Sequence, residues 1–492
     1  MRTCLVGMPR AALGRIIAPS AKKAMTSAAP SRSAWTGVPM GPPDGILGLV
    51  EAFKADTHPN KVNLSVGAYR DSDGQPWVLP SVLKAEEHVM AKQMNKEYLP
   101  IIGDADFVDN ARRFALGSAS PALTEKRVAS VQSLSGTGAC RVIGDFYAKF
   151  LGKGAPFYLP TPSWGNHANI FRDSGLDVRS YRYWDKETLG LDLDGMLADL
   201  KSAPDGSAVL LHACAHNPTG VDPTPEQWKT ICSVLKERPG LSLFFDSAYQ
   251  GFASGDAEAD AFALRHFVSE GVPCALAQSF AKNFGLYGER VGTLSVACAD
   301  AEEAARVLSQ LKLIVRPMYS SPPIHGALIV QEVLGDDALR GQYYGECAAM
   351  AERIGGMRKA LRAELEAAGS THDWGHVTDQ IGMFAFTGMN AAMCDELTED
   401  HSIFLTRECA PALPRPFSPT PAPRLPRACP LGWCSPPLCP RRSPPLPPPL
   451  LAVGASPSLG SIRATSLPSH VPSVYASDVR RLPPPDGARH VP

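Results

Sequence analysis

Residues 128–150 read VASVQSLSGTGACRVIGDFYAKF, and the periodicity of this stretch changes at Ser135. Val128 to Leu134 is a β-rich run, and Ser135-Gly136-Thr137-Gly138 is a turn rich in hydroxyls and glycine. After it, Ala139, Val142, Ile143, Phe146 and Phe150 recur at helical spacing. The expectation is a strand feeding directly into a helix. Free backbone N–H groups, the helix dipole and the two hydroxyls at that junction favour a phosphate group. A nicotinamide-dinucleotide turn reads similarly at Gly136-x-Gly138. However, Arg141 stands where its third glycine belongs, and no acidic strand-end residue follows about 20 positions on.

The same alternation continues outward. From Glu51 to about Arg407, short β-rich runs alternate with longer helical patterns, as in an α/β protein with a mostly parallel sheet. Further strands are expected at Phe157–Leu159, Ala208–Ala213, Leu241–Phe245, Cys274–Gln278 and Thr293–Ala297. Thr224, Pro225 and Gln227 form an N-cap, a helix-compatible proline and a capping-box partner, opening a helix to about Lys236. Alanine-rich helices are expected from Asp300 to Ile314 and from about Tyr343 to Ala368.

Several of these strand ends carry chemistry. Lys282 follows the Cys274–Gln278 run within Ser279-Phe280-Ala281-Lys282-Asn283-Phe284-Gly285, where an apolar setting depresses an amine pKa and suits imine formation. Ser279 and Arg290 offer a hydroxyl and a bidentate guanidinium to the phosphate expected at Ser135, Gly136 and Thr137. Asp246 ends the Leu241–Phe245 run and suits a protonated ring nitrogen; Tyr249, three residues on, and Asn217, after another strand, suit a ring oxygen. Taken together, these residues describe a pyridoxal-phosphate site.

The chain resembles the aspartate aminotransferases of the class I, fold-type I pyridoxal-phosphate family, their mitochondrial branch most of all. The likeness runs from about Ser33 to Arg407. It rests on Met40-Gly41-Pro42-Pro43-Asp44, Val66-Gly67-Ala68-Tyr69-Arg70-Asp71, Lys96-Glu97-Tyr98-Leu99-Pro100 and Ser163-Trp164-Gly165-Asn166-His167. It also rests on the Asn217 turn, on Asp246 through Gly255, on the Lys282 segment and on Arg316-Pro317-Met318-Tyr319-Ser320. The resemblance implies a large domain with a mostly parallel central sheet, a smaller α/β domain, and reversible transamination between L-aspartate and 2-oxoglutarate. It implies that Lys282 carries the cofactor and moves the substrate proton, that His167 supports Asp246, and that Trp164 stacks on the ring. It places Gly67 beside the substrate carboxylate. Tyr98 on the phosphate and Arg316 on the distal carboxylate would come from the neighbouring subunit of a homodimer. The ligands implied are amino acids and 2-oxo acids.

The net charge of −1 hides three unlike parts. Residues 1–43 carry six basic residues and no acid, with Leu13, Ile16 and Ile17 on one helical face: transit-peptide composition. Residues 411–492 carry nine arginines, two aspartates and 23 of the 46 prolines, a density incompatible with regular helices or sheets. The part between has a formal charge of −14, which repels phosphate backbones and argues against nucleic acid. Apolar runs fall far short of the roughly 20 residues that cross a bilayer. Twelve cysteines without C-x-x-C pairs support neither a disulfide framework nor a metal.

The expected organisation is a transit peptide over 1–32, an N-terminal arm and part of a small domain over 33–76, and a large cofactor domain over 77–345. A truncated small domain over 346–407 and a disordered proline-rich tail over 408–492 complete it. The mitochondrial matrix is the expected compartment, with a plastid as the alternative. After Arg407 the chain departs from the family: Ala410 stands where the resemblance implies an arginine for the α-carboxylate. That departure raises a second expectation, a subunit that binds cofactor but turns over poorly.

Overall fold

The computed structural model describes residues 33–41, 45–65, 67–72 and 74–407. The expectations for the transit segment 1–32, for the tail 408–492 and for Ala410 lie outside the described residues. Residues 33–41 carry a local turn, with Thr36 N–H donating to the Ser33 carbonyl at 3.1 Å.

The body beginning at Gly45 is built on a seven-stranded sheet. In chain order its strands are β1 (Val128–Leu134), β2 (Pro156–Thr161), β3 (Asp177–Arg182), β4 (Ala208–His212), β5 (Ser242–Ser247), β6 (Cys274–Ser279) and β7 (Val291–Ala297). Their order across the sheet is β1-β7-β6-β5-β4-β2-β3. Only β7 runs against its neighbours, pairing antiparallel with both β1 and β6. The side-chain period of two sorts each strand onto two faces. Leu243 and Phe245 pack with Val209, Leu211 and Leu276 on one side, whereas Phe244 packs with Leu210, Ala275 and Leu294 on the other. Helices cover both faces, which is why the strands read as nearly continuous apolar runs.

The junction at residue 135 is sharper than expected. The helix α1 (Ser135–Phe150) begins at Ser135 itself, so the hydroxyl-bearing stretch is the first helical turn and not a separate loop. The helix α2 (Gly165–Asp173) follows β2. α3 (Pro225–Lys236) has the expected capping box, with Gln227 N–H donating to Thr224 Oγ1 at 3.2 Å and Thr224 N–H to Gln227 Oε1 at 2.8 Å. α4 (Ala301–Met318) runs past Ile314, and α5 (Asp337–Ala367) begins six residues before Tyr343. Strand β3 had no expectation behind it: Asp177, Arg179, Ser180 and Arg182 are exposed on this edge strand, so no apolar run marks it.

Away from the sheet, Val62–Asn63 pairs in parallel with Ile403–Phe404, joining segments near opposite ends of the described chain. Leu64, Met389, Cys394, Leu397 and Leu405 form a small core beside that pair. No helix among the described residues is long and apolar enough to cross a membrane.

Candidate active site

β1, β2, β4, β5 and β6 point the same way, so the segments leaving their carboxyl ends converge on one edge of the sheet, where open α/β sheets place ligands. Because β7 is antiparallel, the residue just before it, Arg290, reaches the same edge. There the chain forms a cleft of roughly 530 Å³ of atom-free space open to solvent. Ser135, Gly136, Thr137, Trp164, Asn217, Asp246, Tyr249, Ser279, Lys282 and Arg290 all line it. Ten residues chosen from separate stretches of sequence therefore share one wall.

One end of the cleft is built for an anion. Ser135 Oγ and Ser279 Oγ lie 2.9 Å apart, one just after β1 and the other at the end of β6. The α1 N-terminus supplies backbone N–H groups beside them. A Cβ at Gly136 would sit 3.3 Å from Ser279 Cβ and 4.0 Å from Asp246 Oδ1, so glycine keeps the floor clear for a ligand. Ser135, Ala215 and Arg290 hold φ values of 59°, 47° and 54°. Left-handed backbone at non-glycine residues costs roughly 1–2 kcal/mol each, and such strain clusters where geometry serves a ligand.

The other end is electrostatic. Asp246, near the end of β5, shares a 2.9 Å hydrogen bond between its Oδ2 and His167 Nε2. His167 Nδ1 lies 2.9 Å from Ser163 Oγ, which lies 3.3 Å from His212 Nε2. Burial alone would raise the Asp246 carboxyl, but the His167 bond and charge, with help from Lys282, leave it below the usual carboxylate range. Burial holds His212 neutral, pushing it down to about 3. Lys282 sits with Nζ 5.7 Å from the centre of the Tyr249 ring. Burial, helped by the Arg290 charge and opposed by Asp246, lowers its pKa, the direction expected of an amine among Phe280, Phe284 and glycines. Trp164 sets its ring edge-on to His167, with centroids 5.0 Å apart.

Four of the sequence-derived residues do not line this chain's own cleft, and one of them, His167, lies fully buried behind Asp246. Tyr98 is 87% exposed, on an irregular segment. Arg316 is exposed in the last turn of α4, where its guanidinium bonds Ser320 Oγ. Gly67 packs instead under Phe384, whose ring would lie 3.1 Å from an added Cβ. Conversely, His212, Cys214 and Ala248 line the cleft without having been singled out. All three lie beside chosen residues, within the Asn217 and Asp246 motifs, and that adjacency was the available signal.

The profile of aminotransferase class I and II matches residues 59–420. The chain belongs to that family. It is 52% identical over 389 residues to a Gallus gallus protein named mitochondrial aspartate aminotransferase, covering 79% of this chain and 92% of that relative. Among solved structures, a mitochondrial aspartate aminotransferase from Trypanosoma brucei matches at 44% identity with a TM-score of 0.69, covering 73% of this chain and 93% of that one. An aromatic-amino-acid aminotransferase from Burkholderia pseudomallei, covalently bound to pyridoxal phosphate, matches at 42% identity with a TM-score of 0.74, covering 77% and 94%. These relatives bear out the expected fold class and family. They give no support to the impaired-subunit alternative or to the plastid one.

Proposed function

We propose that this aminotransferase interconverts L-aspartate and 2-oxoglutarate with oxaloacetate and L-glutamate, using pyridoxal 5′-phosphate. The observation that carries the reading is the convergence of Lys282, the Asp246–His167 pair and the Ser135–Ser279 hydroxyls on one cleft. The cleared floor at Gly136 and the facing hydroxyls suit a phosphate, and the ionised Asp246 suits a ring N–H, so the residues present fit this cofactor. When bound, pyridoxal phosphate supplies an aldehyde that condenses with amines and a ring that accepts electrons.

The remaining work falls to side chains. Lys282 Nζ would hold the cofactor, and its free amine would take and return the proton of the substrate α-carbon. Its lowered pKa leaves more free amine for that task at neutral pH. His167 keeps Asp246 ionised and oriented, so Asp246 would keep a proton on the ring nitrogen. Tyr249 and Asn217 would hold the ring oxygen, Trp164 would cover the ring face, and Ser135, Gly136, Thr137, Ser279 and Arg290 would hold the phosphate.

Gly67, Trp164, Asn217 and Arg316 complete substrate binding, with Arg316 on the distal carboxylate, where a planar guanidinium fits best. Tyr98 and Arg316 are exposed on their own chain, which supports assigning both to the cleft of a second subunit in a homodimer. The mitochondrial names of the relatives and the basic, acid-free first 43 residues support a mitochondrial compartment.

The test is a half-reaction. The purified chain, loaded with pyridoxal phosphate, develops the visible absorbance of lysine-linked cofactor and loses it when L-aspartate is added. Lys282→Ala develops none of that absorbance and loses at least about 10⁴-fold in turnover. A wild-type chain whose absorbance ignores aspartate is not an aspartate aminotransferase.

A further inference from the structure

The turn that presents Asn217 is tied down by a carboxylate that none of these roles uses. Asp222 accepts hydrogen bonds from Ala215 N–H at 2.6 Å and His216 N–H at 2.8 Å, reaching back seven and six residues. Ala215, at φ 47°, turns consecutive N–H groups to one side, an arrangement that receives an anion. Here the anion belongs to the chain itself. Burial pushes the Asp222 carboxyl up, and the two N–H bonds oppose that push.

The rest of the turn is equally committed. Ala213 N–H donates to the Asp246 carbonyl at 2.9 Å, and Gly220 N–H to the His216 carbonyl at 2.7 Å. Tyr183 OH donates to the Val221 carbonyl at 2.7 Å, while its ring stacks on His216 with centroids 4.0 Å apart. The N–H groups of the two residues before Asn217, Ala215 and His216, both donate to Asp222.

We propose that Asp222 is a positioning residue for Asn217, fixing the backbone of the two residues before it, Ala215 and His216, and so aiming the Asn217 amide at the ring oxygen of the bound cofactor. This rests on the aminotransferase reading. A carboxylate is needed because it offers only acceptors, whereas an asparagine amide would set its own N–H groups against one of the two donors. Losing the alignment removes a hydrogen bond that favours the ionised ring oxygen, so the proton affinity of the bound chromophore rises.

The experiment titrates the visible band of the pyridoxal-phosphate-loaded holoenzyme against pH. Asp222→Asn raises the midpoint by about one unit, in the same direction as Asn217→Ala. The double variant moves no further than Asn217→Ala alone. Amide hydrogen exchange of the cofactor-free chain supplies a second readout, with faster exchange over residues 213–221 in Asp222→Asn. If Asp222→Asn does not accumulate, the comparison is made in an Ala215→Gly background, where glycine adopts positive φ without strain.

A folded Asp222→Asn with an unmoved midpoint overturns the proposal, as does a shift that adds fully to that of Asn217→Ala. A wild-type chain that forms no visible band overturns the aminotransferase reading instead, and with it the cofactor half of this one. The exchange rates then decide whether Asp222 holds the turn.

Discussion

Arg358, fully buried, and Lys282, half-buried, are both cations whose pKa values burial pushes down, and the protein treats them in opposite ways. Arg358, on α5, is 4% exposed and donates to the main-chain carbonyls of Val377 at 2.9 Å, Gly382 at 3.0 Å and Phe384. Its pKa, pushed down to about 10, still leaves it charged at neutral pH. Lys282 instead lies in an open cleft between one anion, Asp246, and one cation, Arg290, over the face of Tyr249. A guanidinium saturated by peptide dipoles is a structural clamp. An amine balanced between opposite charges is free to gain or lose a proton, as a reactive group must.

The largest effect that tests this contrast is at Arg358. Its removal leaves buried carbonyls at Val377, Gly382 and Phe384 without donors, in a loop that also packs on Gly67 and bonds the Asn217 turn through Ile381 N–H to the Gly220 carbonyl at 2.8 Å. Arg358→Met lowers unfolding free energy by about 3–5 kcal/mol, measured by urea denaturation of the cofactor-free chain. Arg358→Lys recovers only part, because an ammonium does not span three carbonyls arranged for a planar fork. A loss below about 1 kcal/mol in Arg358→Met ends the description of Arg358 as a clamp.

This clamp was not legible in the sequence, and the reason is physical. An arginine in a charge-laced helix reads as a solvated side chain, and its partners are carbonyls, which every residue owns. The same holds for Asp222: an acid beside Pro223 reads as loop, and only the folded turn brings the Ala215 and His216 N–H groups to it. The edge strand β3 was missed for want of an apolar face. What was legible had either period or unusual chemistry. Phe244 and its flanks announced a doubly covered strand, and Ser135, Asp246 and Lys282 each stood at the carboxyl end of such a strand. Tyr98 and Arg316 were named only through family resemblance, and neither lines the cleft of its own chain.

A smaller effect tests the anionic side of the cleft. The His167 bond and charge hold the Asp246 carboxyl below its ordinary value against burial. A carboxyl lowered on folding stabilises the protein above its unfolded pKa and loses that contribution as pH falls through the folded value. In His167→Asn the burial penalty is offset only by the more distant His212 and Lys282, so Asp246 protonates at higher pH. The expected result is a loss of about 10–100-fold in turnover and an acid limb of the pH–rate profile moved upward. An acid limb in its wild-type place means that Asp246 owes its charge to other groups.

The smallest effect is a gain. Lys282→Met keeps the length of the side chain, removes its charge and abolishes catalysis, so its stability can be read on the cofactor-free chain alone. Because burial lowers the Lys282 pKa from its ordinary 10.5, the unfolded chain binds the Lys282 proton more tightly than the folded one. That imbalance disfavours folding once pH falls below the unfolded value, and it is absent above about 10.5, where the amine is neutral in both states. The methionine variant should therefore be more stable than wild type by about 1 kcal/mol at neutral pH, with the gain shrinking as pH rises through the ordinary lysine range. A gain independent of pH would trace to packing and not to charge. A loss at neutral pH would mean that Lys282, like Arg358, is a cation the fold relies on, and the distinction between clamp and reactive group would fail at its central residue.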